Sequence, residues 1–205
     1  DFVRAGKWDT FKPMELLGMD VHGATLGIIG MGRIGTAVAR RGKGFDMKVL
    51  YYDHRSRTEL GAAIGARLCA TLDELLAESD FVSLHTPLTP QTRHLINAEA
   101  FKKMKKTAIL VNTTRGPVVD SDALYDALKN GRIAYAGLDV TDPEPLPRNH
   151  PLLTLPNCLV VPHIGSASVA TRARMSVMAA ENLVAGVTGR VPPNLVNPEV
   201  LKRPG

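Results

Sequence analysis

Thr25-Leu-Gly-Ile-Ile-Gly-Met-Gly-Arg-Ile-Gly35 is a short apolar run that leads directly into the pattern G-x-G-x-x-G. The run predicts a buried strand, and the pattern predicts the turn from that strand into a helix. In such a turn Gly30 makes the sharp bend, Gly32 lets the backbone approach a pyrophosphate, and Gly35 lets the helix pack closely on the strand. The stretch therefore predicts a dinucleotide-binding turn at a helix N-terminus.

A second predicted strand, Lys48-Val-Leu-Tyr-Tyr52, ends in Asp53, which lies 53 − 35 = 18 residues after the last glycine of the turn. An acid at that distance reaches an adenosine ribose hydroxyl and repels a 2′-phosphate, which favours NAD as the cofactor. His54, Arg55 and Arg57 follow immediately and could bind such a phosphate, so NADP stays open as an alternative.

Strand-like and helix-like segments alternate from residue 25 onward. This alternation predicts an α/β fold with a doubly wound parallel sheet of the Rossmann type. The predicted strands cover 25–29, 47–52, 66–68, 80–84, 107–111, 133–138 and 159–161, and the predicted helices cover 33–44, 57–65, 71–77, 97–104, 120–129 and 167–187.

Composition narrows the class of protein. Lys and Arg total 25 against 20 Asp and Glu, but the basic runs fall on predicted helix faces without aromatic neighbours, which argues against nucleic acid as a partner. No apolar run is long enough to cross a membrane. Cys69 and Cys158 lie 158 − 69 = 89 residues apart without a C-x-x-C motif, which predicts a reducing, cytoplasmic location. The histidine spacings match no metal-binding motif, so no metal is expected.

Polar residues that follow three predicted strands form a second candidate site. Arg115, Glu144 and His163 each come just after a strand, and parallel strands place their carboxyl ends at one edge, where ligands bind. Each residue has an ordinary alternative, namely a surface charge, a turn residue and a hydrogen-bonded strand-end histidine. Together in a nucleotide-binding fold they favour an active site.

These motifs resemble the D-isomer-specific 2-hydroxyacid dehydrogenase family. The resemblance runs nearly end to end, in the family's order and spacing. The motifs that carry it are G-M-G-R-I-G at 30–35, N-T-T-R-G at 112–116, G-L-D-V at 137–140, E-P at 144–145 and P-H-I-G at 162–165. Within the family, the tract 145–157 is most similar to glyoxylate/hydroxypyruvate reductases.

The resemblance implies NAD(P)H-dependent reduction of a small 2-keto acid, such as glyoxylate or hydroxypyruvate, to the D-2-hydroxy acid. It implies that Arg115 holds the substrate carboxylate or carbonyl, that His163 is the general acid/base and that Glu144 pairs with His163. The residue types suit this chemistry, because a guanidinium fork matches a carboxylate and an imidazole supplies a proton near neutral pH. Asp139 resembles the residue beside the nicotinamide carboxamide, with a loop-capping role as the alternative.

The expected cofactor-binding residues lie in the glycine-rich turn, after the second strand and at the carboxyl ends of the later strands. They are Gly30, Gly32, Arg33, Ile34, Gly35, Asp53, Arg55, His85, Thr86, Pro87, Thr113, Thr114, Arg115, Asp139, His163, Gly165 and Ser166. His85 and the histidines outside this list have no evident side-chain partner in the sequence. They are interpreted as surface or loop residues.

Three segments are expected. Residues 1–22 form a helix end and a dimerisation arm that carries Trp8, for which local packing within one subunit is the alternative. Residues 23–166 form the dinucleotide-binding domain, and 167–205 form a C-terminal helix and tail that belong to a substrate domain mostly absent from this chain. The chain is therefore expected to be a fragment of a homodimeric enzyme that binds nucleotide and turns over poorly alone.

Two competing functions remain. The same fold, with the same Arg, Glu and His, occurs in transcriptional corepressors that sense NADH. Other D-2-hydroxyacid dehydrogenases, such as phosphoglycerate or formate dehydrogenase, are rivals among enzymes. A hydrolase is excluded because the sequence contains neither G-x-S-x-G nor H-E-x-x-H.

Overall fold

A computed structural model describes residues 2–55 and 57–202, and its strands within these residues form one parallel sheet. The strands are β1 (Thr25–Ile29), β2 (Lys48–Tyr52), β3 (Arg67–Leu68), β4 (Phe81–Leu84), β5 (Ile109–Asn112), β6 (Tyr135–Leu138) and β7 (Cys158–Val160). Their order is β3-β2-β1-β4-β5-β6-β7, with every neighbouring pair parallel. The order changes direction between β1 and β4, where doubly wound sheets open a ligand crevice.

The α-helices connect these strands. They are α1 (Arg33–Lys43), α2 (Thr58–Ile64), α3 (Leu72–Glu78), α4 (Ala98–Lys103), α5 (Ser121–Lys129) and α6 (Val169–Val187), and short 3₁₀ helices span Gly116–Val118, Pro151–Thr154 and Pro198–Lys202. Side chains cap several N-termini as the sequence predicts: the Thr71 hydroxyl accepts the Glu74 N–H, and the Asn97 side chain accepts two N–H groups of α4. The predicted elements are present, with ends that shift by up to two residues.

Two apolar clusters lie on opposite faces of the sheet. One contains Ile28, Met31 and Tyr51 with residues of α1, and the other contains Leu84 and Leu110 with residues of α3, α4 and α5. Because helices cover both faces, the central strands β1, β2 and β4 are mostly buried and read as nearly continuous apolar runs. The predicted doubly wound fold is confirmed.

The segments before β1 and after β7 expose apolar side chains. Residues 2–22 form turns and irregular segments, and the bonds from Gly6 N to Val3 O and from Lys7 N to Phe2 O have the pattern that ends an α-helix. In the following arm, Trp8 and Phe11 are 67% and 83% exposed. Most of α6 is exposed as well, although none of the described helices is both long enough and apolar enough to cross a membrane.

Candidate active site

The glycine-rich turn after β1 requires glycine for two different reasons. Gly30 has a φ of +97°, in the region that L side chains rarely adopt. A Cβ on Gly35 would lie 2.1 Å from the Gly30 carbonyl oxygen, so only glycine lets α1 approach the turn this closely. By contrast, a Cβ on Gly32 would meet no protein atom within 4 Å. The turn is therefore closed toward the protein and open at Gly32, which is the side a pyrophosphate would occupy.

The N-terminus of α1 has free backbone donors at this opening. Gly32 is the N-cap residue, and within residues 2–55 and 57–202 no side chain caps this helix end; the first backbone bond into the helix runs from Thr36 N to Gly32 O at 2.9 Å. The N–H groups of the first turn of a helix have no partner within the helix, and the helix dipole favours an anion beside them. The turn thus fits the phosphates of a dinucleotide.

Asp53 follows β2 and contacts the glycine-rich turn directly. Its Oδ2 accepts the Met31 N–H at 2.8 Å, and its Oδ1 accepts the Arg55 N–H at 2.9 Å. The carboxylate is only 8% exposed, and His54 Nδ1 lies 3.2 Å from Oδ1. The sequence predicts a ribose contact for this residue, and the backbone bonds are an additional feature that the sequence does not reveal.

His85 follows β4 and packs against the same turn. A Cβ on Gly30 would lie 2.8 Å from the His85 carbonyl carbon and oxygen, which places the two backbones in close contact. His85 Nε2 lies 2.9 Å from the Ser83 hydroxyl, so the expectation that this histidine has no side-chain partner is wrong, whereas its expected place in a loop is confirmed. Burial lowers the pKa of His85 to about 4, which keeps the ring neutral at physiological pH. Its Nδ1 and the Thr86 hydroxyl are buried without a hydrogen-bond partner among the described residues.

An open cleft of about 530 Å³ adjoins these residues. It brings together predicted cofactor residues from three separate stretches of sequence, together with Leu88. The lining residues are Ile34, His85, Thr86, Pro87, Leu88, Thr113, Thr114 and Arg115. The cleft runs from the α1 N-terminus to the loop after β5. This is the place expected for a ligand crevice, because the strand order changes direction between β1 and β4.

Asn112 shapes the loop that carries Arg115. Its buried Oδ1 accepts the N–H and hydroxyl of Thr114 at 3.0 and 2.9 Å, and its Nδ2 donates to the Arg115 carbonyl at 3.0 Å. A Cβ on Gly116 would lie 1.9 Å from the Thr141 carbonyl oxygen, so the loop packs tightly against the one after β6. Arg115 itself is exposed, and its charge contributes to lowering the pKa of Glu144.

Glu144 and His163 form a hydrogen-bonded pair at the rim of the sheet. Glu144 Oε1 lies 2.7 Å from His163 Nδ1, and the His163 and Glu144 side chains are 53% and 41% exposed. The bond to His163 is the main cause of the lowered pKa of Glu144, followed by smaller contributions that include the Thr141 N–H and Arg115. Both side chains line a second open pocket of about 340 Å³ with Asp139 and several apolar residues.

Asp139 holds the turn that follows His163. Its Oδ1 accepts the Ile164 N–H at 2.6 Å, its Oδ2 accepts the Gly165 N–H at 2.8 Å, and its carbonyl accepts the His163 N–H at 3.0 Å. His163 has a φ of +52°, an uncommon conformation for a residue with a side chain. The contacts of Asp139 are therefore those of a loop-capping residue. They fix the position of the His163 imidazole.

Three of the other histidines also have partners that the sequence does not reveal. His22 Nε2 lies 3.2 Å from Asp46, His54 pairs with Asp53, and His150 Nδ1 accepts the Leu152 N–H at the start of a 3₁₀ helix.

Ser83, which contacts His85, is the functional neighbour that sequence reasoning missed. A buried serine in an otherwise apolar strand is the signal that could have found it.

The chain belongs to the D-isomer-specific 2-hydroxyacid dehydrogenases. The family model that matches residues 1–165 describes the NAD-binding domain of these enzymes. The resemblance read from the sequence motifs is thereby confirmed, and a nicotinamide dinucleotide is the cofactor class of this domain.

Individual relatives are similar over almost the whole chain. A glyoxylate reductase from Korarchaeum cryptofilum is 57% identical over 202 residues, which is 98% of this chain and 60% of that protein. A glyoxylate/hydroxypyruvate reductase B from Serratia proteamaculans is 52% identical, over 98% of this chain and 62% of that protein. A crystal structure of a Thermus thermophilus protein matches with a TM-score of 0.89 and 51% identity, over 95% of this chain and 60% of that one. The chain thus spans about 60% of the length of these relatives.

Proposed function

We propose that the protein to which this chain belongs reduces a small 2-keto acid, glyoxylate or hydroxypyruvate, to the D-2-hydroxy acid. The observation that carries the proposal is the His163–Glu144 pair at 2.7 Å, on the same edge of the sheet as the dinucleotide turn. The names of the relatives support this substrate class, since they are glyoxylate and glyoxylate/hydroxypyruvate reductases at 52–57% identity.

His163 is the general acid in this proposal. Its Nδ1 faces Glu144, so Nε2 is the atom that would donate a proton to the carbonyl oxygen of the substrate. Glu144 fixes the ring orientation through its bond to Nδ1. When bound, the reduced nicotinamide supplies the hydride.

Arg115 is the substrate-binding cation. It is exposed at the cleft, and a guanidinium can form paired hydrogen bonds to the carboxylate of a 2-keto acid. The loop that carries it is held by Asn112 on one side and packs against Thr141 on the other, so the charge is presented from a fixed backbone.

The cofactor residues are those predicted from the sequence, with NADH preferred over NADPH. The glycine-rich turn with Arg33 and Ile34 would hold the pyrophosphate, and the cleft that ends at Arg115 would hold the nicotinamide half. The preference for NADH rests on the Asp53 carboxylate, which repels a 2′-phosphate. Arg55 and Arg57 are exposed beside it and supply the opposing attraction. The ratio of NADH to NADPH dissociation constants, before and after Asp53→Ala, tests this preference.

The exposed arm and α6 are proposed contacts outside this chain. Trp8 and Phe11 suit a homodimer interface, because exposed aromatic residues are frequent interface anchors. The exposed apolar side chains on α6 suit a contact with a substrate domain. The additional length of the relatives is enough to form such a domain. The molar mass of the full-length protein in solution, compared with that of a Trp8→Ala variant, tests the dimer.

The cytoplasmic location stays a prediction from the cysteine pattern.

The test of the function is NADH oxidation by the full-length protein, first with hydroxypyruvate and then with glyoxylate. Turnover should fall by about 10³-fold in His163→Gln, because general acid catalysis contributes factors of this order. Arg115→Ala should mainly raise KM for the keto acid. Neither substitution should change the dissociation constant of ADP by more than about twofold, because both residues lie at the nicotinamide end of the site.

Two outcomes would contradict the proposal. Turnover that survives in His163→Gln would exclude this histidine as the acid. NADH binding without turnover of either keto acid would favour another 2-keto acid or the NADH-sensing regulator.

A further inference from the structure

The last residue of β2 and the residue after it hold the glycine-rich turn at consecutive positions. The Tyr52 carbonyl accepts the Gly30 N–H at 2.9 Å, and the Asp53 carboxylate accepts the Met31 N–H at 2.8 Å. The first bond is an ordinary extension of the parallel sheet. The second is made by a side chain, so it depends on the identity of residue 53.

The Met31 side chain anchors the same turn in the apolar core. It is fully buried in the apolar cluster that also contains Tyr51 and Ile28. Met31 is thus fixed at two points, by its side chain in the core and by its N–H on Asp53. These two contacts set the orientation of the peptide that leads into Gly32 and the free N–H groups of α1.

Asp53 is in turn held in place from its other side. Its Oδ1 accepts the Arg55 N–H at 2.9 Å, which closes a tight turn after β2, and the carboxylate is 8% exposed. A mostly buried carboxylate that accepts two backbone N–H bonds is a rigid acceptor.

We propose that Asp53 is a positioning residue for the phosphate-binding turn, in addition to any contact it makes with the ribose. The proposal rests on the proposed dinucleotide function and deepens it. Each carboxylate oxygen can accept a second hydrogen bond, so the two backbone bonds of Asp53 are compatible with a ribose contact and exist without any ligand. Asp53 should therefore support pyrophosphate binding even when the ligand has no ribose hydroxyl.

The experiment compares ADP with 2′,3′-dideoxy-ADP, which keeps the pyrophosphate but lacks both ribose hydroxyls. Dissociation constants are measured for the full-length protein and for its Asp53→Ala and Asp53→Asn variants. We expect Asp53→Ala to weaken dideoxy-ADP binding by about tenfold, the scale of one hydrogen bond to a charged group. Asp53→Asn keeps one acceptor oxygen and should fall between the wild type and Asp53→Ala.

Loss of the Asp53 negative charge should change the affinity in the opposite direction. Removal of a negative charge near a pyrophosphate would by itself strengthen binding, so a loss of affinity indicates that the geometry of the turn has changed. Glu59→Gln removes an exposed carboxylate at the start of α2 and should leave both affinities within about twofold. Amide hydrogen exchange at Met31 should also become faster in Asp53→Ala, which reports the lost bond directly.

Three outcomes separate the hypotheses. If Asp53→Ala weakens ADP but leaves dideoxy-ADP and Met31 exchange unchanged, Asp53 acts through the ribose alone and the proposal is overturned. If both ligands weaken together and Met31 exchanges faster, the proposal holds. If wild-type protein binds neither ligand, the dinucleotide function itself fails, and Met31 exchange still decides whether Asp53 holds the turn.

Discussion

Two histidines stand just after strands of this sheet, and their surroundings differ. His85, after β4, is mostly buried against the glycine-rich turn, bonds to a neutral serine and has a pKa lowered to about 4. His163, after β7, is 53% exposed and bonds to a carboxylate. The first environment disfavours a charged ring and packs against the turn, whereas the second places a carboxylate beside the ring and is open to solvent. The difference supports the proposal, in which the β1–β4 region would hold the dinucleotide by shape and the β6–β7 region would perform the proton chemistry.

The largest expected effect comes from breaking the shape of the first region. Gly35→Ala places a Cβ 2.1 Å from the Gly30 carbonyl oxygen, which neither backbone can avoid without moving α1. We expect the free energy of unfolding to fall by about 3 kcal/mol, as for overpacking in a core. ADP binding should be lost as well. Chemical denaturation and calorimetric titration measure the two quantities.

Gly32→Ala is the matched control for this prediction. Its Cβ meets no protein atom within 4 Å, so stability should change by no more than about 0.5 kcal/mol. ADP affinity should still fall, because the methyl group occupies the side that a pyrophosphate approaches. Equal losses of stability in the two variants would show that the turn is not packed as described.

His85 gives the second prediction, which concerns pH and stability. Its pKa is about 4 in the folded protein and about 6.5 when unfolded, so between these values the unfolded chain binds a proton that the folded chain does not. Stability therefore falls as pH drops from about 6.5 to 4, by at most about 3 kcal/mol from this group. His85→Asn should flatten this part of the profile measured by denaturation from pH 7 to 4.

Ser83→Ala is the control that separates titration from packing. It removes the hydrogen-bond partner but keeps the imidazole buried, so the acid-side slope should persist. An unchanged slope in His85→Asn would mean that another group causes the acid sensitivity and that the contrast between the two histidines is wrong.

The sequence predicted the parts of the molecule that depend on local pattern. Strand positions follow from apolar runs, and the glycine spacing predicts the turn because Gly30 and Gly35 meet within one strand–turn–helix unit. The family resemblance pointed to Arg115, Glu144 and His163, and the sheet order explains why they share an edge. The bond from Met31 to Asp53 and the burial of His85 were not predictable, because each depends on how residues from different strands pack.

Glu144→Gln gives the smallest expected effect and sharpens the second half of the comparison. The variant keeps a hydrogen-bonding group beside His163 Nδ1 but removes the negative charge of the carboxylate. We expect kcat for reduction to fall by about tenfold, the scale of one hydrogen bond to a charged group, because the bond that holds His163 Nδ1 is weakened. Stability should change by less than about 0.5 kcal/mol, because the pair is exposed. Unchanged turnover would remove Glu144 from the proton chemistry, and a large loss of stability would make the pair a structural feature like the contact between His85 and Ser83.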